Sequence, residues 1–286
     1  MQLTPRYGTN PVLTLDGSPA DVLVPVVRQR RRLAAALAQF DDDQWNHPSR
    51  CAGWSSRDVI VHLDSTNSFW AFSIASGVSG KPTTFLKTFD PVASPAQLVA
   101  ATDLPAAEVL SRFEASNEAL IDALERLADD EWDALAEAPP GHISISALAH
   151  HALWDSWVHE RDILLPLGLP VAIEADEVAA CLRYGVALGP ALARTRGEAR
   201  TGMLALRTTA PHVAVVVEID DTIAVRATTE TAAHTTAAAD VTLEGDAVEL
   251  LEALSIRRPL DQPVASEHAW MLAGLAETFD ATGPQL

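Results

Sequence analysis

Apolar residues recur at helical spacing in four long stretches of the chain. In the first, Leu23, Val26, Val27, Leu33, Ala34 and Leu37 share one face, which predicts a helix from Ser18-Pro19-Ala20-Asp21 to about Phe40. A capping serine, a proline at the first helical position and an early acid are all start signals. In the second, Val59, Val61, Leu63, Phe69, Trp70 and Phe72 carry a helix from Ser55 to about Ser76, with Asp58 placed as in a capping box. The third opens at Asp103-Leu104-Pro105 and runs through Val109, Leu110, Phe113, Leu120, Ile121 and Leu124 to about Leu127. The fourth begins at Ser144, after the break Pro139-Pro140-Gly141, and stops near Leu167 ahead of Gly168-Leu169-Pro170. Four amphipathic helices with one long crossover, Gly77 to Leu104 with a short helix near Gln97, predict a four-helix bundle.

Outside these stretches the pattern changes. Residues 1–17 show no period and read as an irregular lead-in. After Pro170 a helix from about Glu174 to Arg194 precedes runs rich in Val and Ile: Thr201–Thr208, His212–Ile219, Thr222–Thr228 and Ala239–Leu243. Asp220-Asp221 suits a tight turn between two of them, and Asp246–Leu254 and Glu267–Phe279 read as helices. The expected fold class is therefore α+β, a bundle over 1–170 followed by a small α+β domain with an antiparallel sheet over 171–286. A short internal echo, Leu37 to Trp45 against Leu124 to Trp132, suggests two similar helical hairpins with the second and fourth helices face to face.

Composition narrows the function classes. With 286 residues and 48% hydrophobic content the chain is long enough for two cores. A formal charge of −19 disfavours nucleic acid and anionic membrane as partners, since both demand clustered Lys and Arg. No basic-then-apolar leader and no membrane-length apolar run stand in the sequence. The two cysteines, Cys51 and Cys181, are too few for a disulfide framework, which favours a cytoplasmic setting.

Candidate chemistry concentrates in the fourth helix. His151, Asp155 and His159 follow one another at intervals of four and project from one stripe, drifting about 40° per step. Two imidazoles around one carboxylate suit a divalent metal, and a polar edge on an amphipathic helix is the plainer reading. His150 points away from that stripe. His62, among apolar residues of the second helix, is by itself a core histidine; facing the fourth helix it would add a second nitrogen and leave a coordination position open.

The segment Cys51-Ala52-Gly53-Trp54-Ser55-Ser56-Arg57-Asp58-Val59-Ile60-Val61-His62-Leu63 resembles the Cys-x-Gly-Trp-Ser/Thr-x-Arg/Lys-Asp-x-x-x-His-Leu signature of the mycothiol-dependent maleylpyruvate isomerase family. That family belongs to the DinB/YfiT-like metal-binding bundles. Its Glu-x-x-x-His-x-x-Asp motif is matched by Asp155, His159 and Asp162, with Asp155 where the family usually has Glu. Val241-Thr242-Leu243-Glu244-Gly245-Asp246 ahead of a helix resembles its sterol-carrier-like C-terminal domain.

The resemblance implies metal ligands at His62, Asp155 and His159, a divalent metal (zinc), and mycothiol as thiol cosubstrate. It implies an isomerase of small electrophiles, or a thiol S-transferase on them; a non-catalytic binder or a diverged enzyme of secondary metabolism are the alternatives. His151 is a candidate acid/base or fourth ligand, and Arg207, Arg226, Arg257 and Arg258 are candidate carboxylate binders. Cys51 reads as a packed residue, and Asp58 as a cap in preference to a partner for His62. Asp162 is open to histidine or arginine. The oligomeric state, monomer or homodimer, is left open.

Overall fold

The computed structural model describes residues 3–228 and 238–279. Four long helices, α1 (Ala20–Leu37), α3 (Ser56–Val78), α5 (Ala106–Glu125) and α6 (Ile145–Leu164), pack as the expected bundle. Ser55 and Asp58 form the predicted capping box, so Asp58 is spent on the α3 start. The short helix expected in the crossover is α4 (Ala93–Ala101). The echoed segments form α2 (Asp42–Asn46) and a 3-10 turn (Asp129–Asp133), each burying its tryptophan, Trp45 or Trp132.

Helix α6 is the axis of the molecule. Its outer face is covered by α7 (Ala175–Thr195), so polar residues along it, His150, His151, His159, Glu160, Arg161 and Asp162, are buried with its apolar ones. Buried polar groups need partners, and those partners build the site below.

The strands hold two departures from the sequence reading. Leu13–Leu15, inside the expected lead-in, form β1; Leu135–Ala138 and Gly141–Ser144 form the antiparallel hairpin β2–β3. Neither flank of Pro139-Pro140-Gly141 is rich in β-branched residues, so alternation was too weak to read. Gly141, with φ 126°, lets the N-terminal segment lie against the hairpin: a Cβ there would fall 2.0 Å from the Arg6 carbonyl oxygen.

The main sheet comprises β4 (Gly202–Thr208), β5 (Ala214–Ile219), β6 (Ile223–Ala227) and β7 (Val241–Gly245) with β1, in the order β1-β6-β5-β4-β7. Its centre is antiparallel as expected, and both edge pairings, β1 with β6 and β4 with β7, are parallel. Helices α8 (Ala247–Leu254) and α9 (Trp270–Thr278) pack on α7. The α7–α9 approach is backbone to backbone, since a Cβ on Gly274 would fall 1.9 Å from the Gly189 carbonyl oxygen.

One buried cluster runs through α6, α7 and the sheet, including Trp157, Tyr184, Leu206, Val217 and Leu251. A smaller one, with Leu33, Trp45, Ile60, Phe113 and Ile163, fills one end of the bundle. No helix among the described residues is long and apolar enough to cross a membrane.

Candidate metal centre

Helices α3 and α6 face each other and bring His62 to Asp155 and His159. One ring nitrogen from each histidine and one Asp155 oxygen lie within 4.8 Å of one another. His159 Nε2 stands 3.6 Å from Asp155 Oδ1, and the His62 and His159 rings meet edge-on at 5.2 Å. Trp54 packs 5.5 Å from His62 and closes that flank.

The three groups are electrostatically unlike. Burial lowers the His62 pKa to about 4, leaving the ring neutral with lone pairs to offer. Burial works against the Asp155 carboxylate too, yet His159, His62, His151 and Arg30 together hold its pKa below the ordinary value. For His159, burial is outweighed by the sulfur of Cys51 and the carboxylates of Asp162 and Asp155, which raise its pKa to about 10. Positive charge is thus favoured at the His159 ring, between two acids.

His159 is oriented from behind. Its Nδ1–H donates to Asp162 Oδ2 at 3.0 Å, which turns Nε2 toward Asp155. Such a carboxylate behind an imidazole fixes tautomer and ring direction. Asp162 also accepts from Arg50 Nε at 2.9 Å, from Arg257 Nη2 at 2.7 Å and from the Cys51 thiol at 3.2 Å. Despite complete burial, these partners hold its pKa far below the usual carboxylate range. Asp162, left open between histidine and arginine, takes both.

Two of the arginines extend the network across the fold. Arg50 reaches Glu252 at 2.8 and 3.1 Å, and Arg161 reaches the same carboxylate at 2.6 Å while lying over the Trp157 ring. Arg257 is delivered by the end of α8, where the Arg257 and Ile256 amides bond back to the Glu252 and Ala253 carbonyls. This helix stop places Ile256 at φ 54°, a left-handed conformation that costs a branched residue about 1–2 kcal/mol.

A second donor set, Cys51, His159 Nδ1 and Asp162, also lies within 4.8 Å. Its carboxylate is already neutralised by Arg50 and Arg257, and their charge repels a cation there. The first set suits a divalent cation better: no described residue hydrogen-bonds the His62 ring, and His159 Nε2 is aimed inward.

The remaining candidates are placed as follows. His151 lies one turn before Asp155, clamped by Trp70, Trp154 and Tyr184, with Nδ1 2.6 Å from the Tyr184 hydroxyl. Burial pulls its pKa to about 4. His150 is turned away as expected, and its Nδ1–H donates to the Ser146 carbonyl at 2.8 Å. Arg257 stands beside the site, whereas Arg207, Arg226 and Arg258 pair with Glu244, Glu218 and Glu249.

Sequence reasoning missed Arg50, Tyr184 and Arg30. The last had a signal: Arg30 occupies the inward stripe Val26, Arg30, Leu33, Leu37 at intervals of four, three and four.

Comparison with known proteins places this arrangement. Residues 26–164 match the mycothiol maleylpyruvate isomerase N-terminal domain. The fold is similar to crystal structures of the mycothiol-dependent maleylpyruvate isomerase and of a point mutant of it. Each has a TM-score of 0.58 at 16% identity, covering 85% of this chain and 90% of that one. No curated protein matches the chain. The matched segment, which carries the triad, is thus similar to the mycothiol maleylpyruvate isomerase N-terminal domain.

Proposed function

We propose that the chain is a divalent-metal, thiol-dependent isomerase that converts a cis-configured electrophile of the maleylpyruvate kind with mycothiol as cosubstrate. The observation that carries the reading is the convergence of His62, Asp155 and His159 from two rigid helices within a segment similar to that N-terminal domain.

His62 would hold the cation through a neutral nitrogen and His159 through Nε2 once the cation displaces its proton, and Asp155 would supply the negative charge. Zinc suits two nitrogens and one oxygen with a further position open. Asp155, one methylene shorter than the glutamate usual in the family, would require α6 to approach the cation by about one further bond length, and leaves the choice of metal to metal analysis of the purified protein. Bound there, the cation would hold a thiol as its thiolate near neutral pH. Asp162 keeps the proton on His159 Nδ1, so that Nε2 stays a donor atom. His151, held by the Tyr184 hydroxyl, would take the thiol proton and return it. Addition of the sulfur to the activated double bond leaves a single bond free to rotate. Expulsion of the same thiol then gives the trans isomer, and the thiol is recovered.

The test begins with metal analysis of the purified protein and of His62→Ala and His159→Ala. The expected result is a stoichiometric divalent metal, zinc, lost from both variants; metal kept in both sinks the site. Maleylpyruvate is then followed with and without mycothiol. Thiol-dependent cis-to-trans conversion supports the isomerase, and accumulation of a thioether makes the chain an S-transferase. Metal without thiol-dependent turnover of either kind makes it a binder.

A further inference from the structure

Below the triad lies a cation that the reading above leaves unused. Arg30 of α1 is 1% exposed, and its guanidinium touches both helices that carry the triad. Nη2 donates to Asn67 Oδ1 on α3 at 3.1 Å and to the Ala152 carbonyl on α6, one turn before Asp155, at 2.9 Å. Asn67 in turn donates to Asn117 of α5 at 2.8 Å, so all four bundle helices meet at this arginine.

Among the described residues the remaining Arg30 donors, Nε and Nη1, have no hydrogen-bond partner, and neither has Asn117 Nδ2. Burying a guanidinium with so few acceptors is unfavourable, and natural cores seldom keep such a group without return. Methionine would fill much the same space without the charge. Burial lowers the Arg30 pKa to about 10, so it is still a cation at neutral pH. Among the carboxylates, Asp155 acts most strongly on its charge, and the Ala152 carbonyl that Arg30 bonds lies one turn before Asp155 on the same helix.

We propose that Arg30 is a buried counter-charge to the triad, set by its bonds to Asn67 and Ala152 between the two ligand-bearing helices, and that it weakens the grip of His62, Asp155 and His159 on a divalent cation. Arg30 acts through Asp155 and is a positioning residue. The inference rests on the metal reading of the triad. Two positive centres sharing one carboxylate repel each other, so the guanidinium lowers affinity and leaves net positive charge for an anionic ligand at the open position. A site without Arg30 would bind its metal more tightly and offer less attraction to a thiolate.

The experiment is a cobalt(II) or zinc(II) titration of the metal-free full chain, as wild type, Arg30→Met, Arg30→Gln and Arg30→Lys. The Co(II) visible band and competition with a chelator serve as readouts. Both neutral variants are expected to bind the metal about tenfold more tightly, and the Lys variant to stay near wild type. Gln keeps a neutral N–H donor in the buried position and so covers a failure of Met to fold.

Neutral variants with wild-type affinity, or a Lys variant shifted as far as they are, overturn the proposal and leave Arg30 a structural bond to α3 and α6. A wild-type chain that takes up no metal overturns the metal reading itself, and is thereby told apart from a failure of Arg30 alone.

Discussion

Three histidines of one helix show how far position alone sets the chemistry of a side chain. His159, between Asp155 and Asp162, has its pKa raised to about 10, while for His150 and His151 burial outweighs the acids near them and the pKa falls to about 4. His150 is 2% exposed, lies outside the triad and makes one bond, to Ser146. An unfolded histidine titrates near 6.5, so between pH 6.5 and about 4 the unfolded chain binds a proton that folded His150 refuses. Stability therefore falls with pH through that window, by at most about 1.4 kcal/mol per pH unit for one group. His151 and His62 pull in the same direction, so His150→Leu is expected to flatten the wild-type decline by one histidine's share and not abolish it. Urea melts of the metal-free protein across the window measure this; a slope equal to wild type would show that His150 is protonated in the fold.

At the scale of elements, the β2–β3 hairpin has a part that its short strands do not suggest. Glu137, fully buried in β2, accepts from the Tyr7 hydroxyl at 2.5 Å, Thr83 Oγ1 at 2.6 Å and the amides of Phe85 and Leu86 at 2.8 and 2.7 Å. One carboxylate thus ties the N-terminal segment and the loop after α3 to the bundle. Glu137→Ala would orphan all four donors and is expected to destabilise the fold by about 3–5 kcal/mol. It should also speed amide exchange at Phe85 and Leu86 ahead of α6. Exchange unchanged at those two amides would mean that the loop is held by other contacts.

Little of this was legible in advance, because the glutamate's value depends on donors that all lie more than fifty residues earlier in the chain. The long helices were legible for the opposite reason: their information is local, as in the Ser55–Asp58 box and the stripe His151, Asp155, His159. His62 sits between. Its helix is plain from Val59, Leu63 and Trp70, but nothing near it in sequence says that α6 is what it faces. That pairing came from a resemblance and from an echo of two acidic turns.

For the molecule as a whole, the apolar core is continuous from the bundle into the sheet. Trp154 donates to Ser255 at 2.9 Å, Trp157 and Tyr184 share one cluster with Leu206 and Val217, and Arg50 joins Asp162 to Glu252, with Arg257 on the first carboxylate and Arg161 on the second. The expectation of separate bundle and C-terminal units over 1–170 and 171–286 can be put to an experiment on the pieces. With α7 removed, α6 would expose His151, Trp154 and Trp157. Residues 1–170 alone are therefore expected to lose their near-UV circular dichroism and to melt without a sharp transition, while the full chain melts once. A fragment with full-length near-UV dichroism and a sharp melt would establish the bundle as an independent unit.

The parallel pairing of β1 with β6 also has a consequence in time. Leu13–Leu15 leave the ribosome early, but their partners Ile223–Val225 follow roughly two hundred residues later. At about 5–20 residues per second, that is a wait of some 10–40 s. During that interval the earliest-made strand has its hydrogen-bonding edge open. Pairing of β1 with β6 therefore has to wait for Ile223–Val225, and a nascent chain stalled before Ile223 would present Leu13–Leu15 to whatever chaperone attends it.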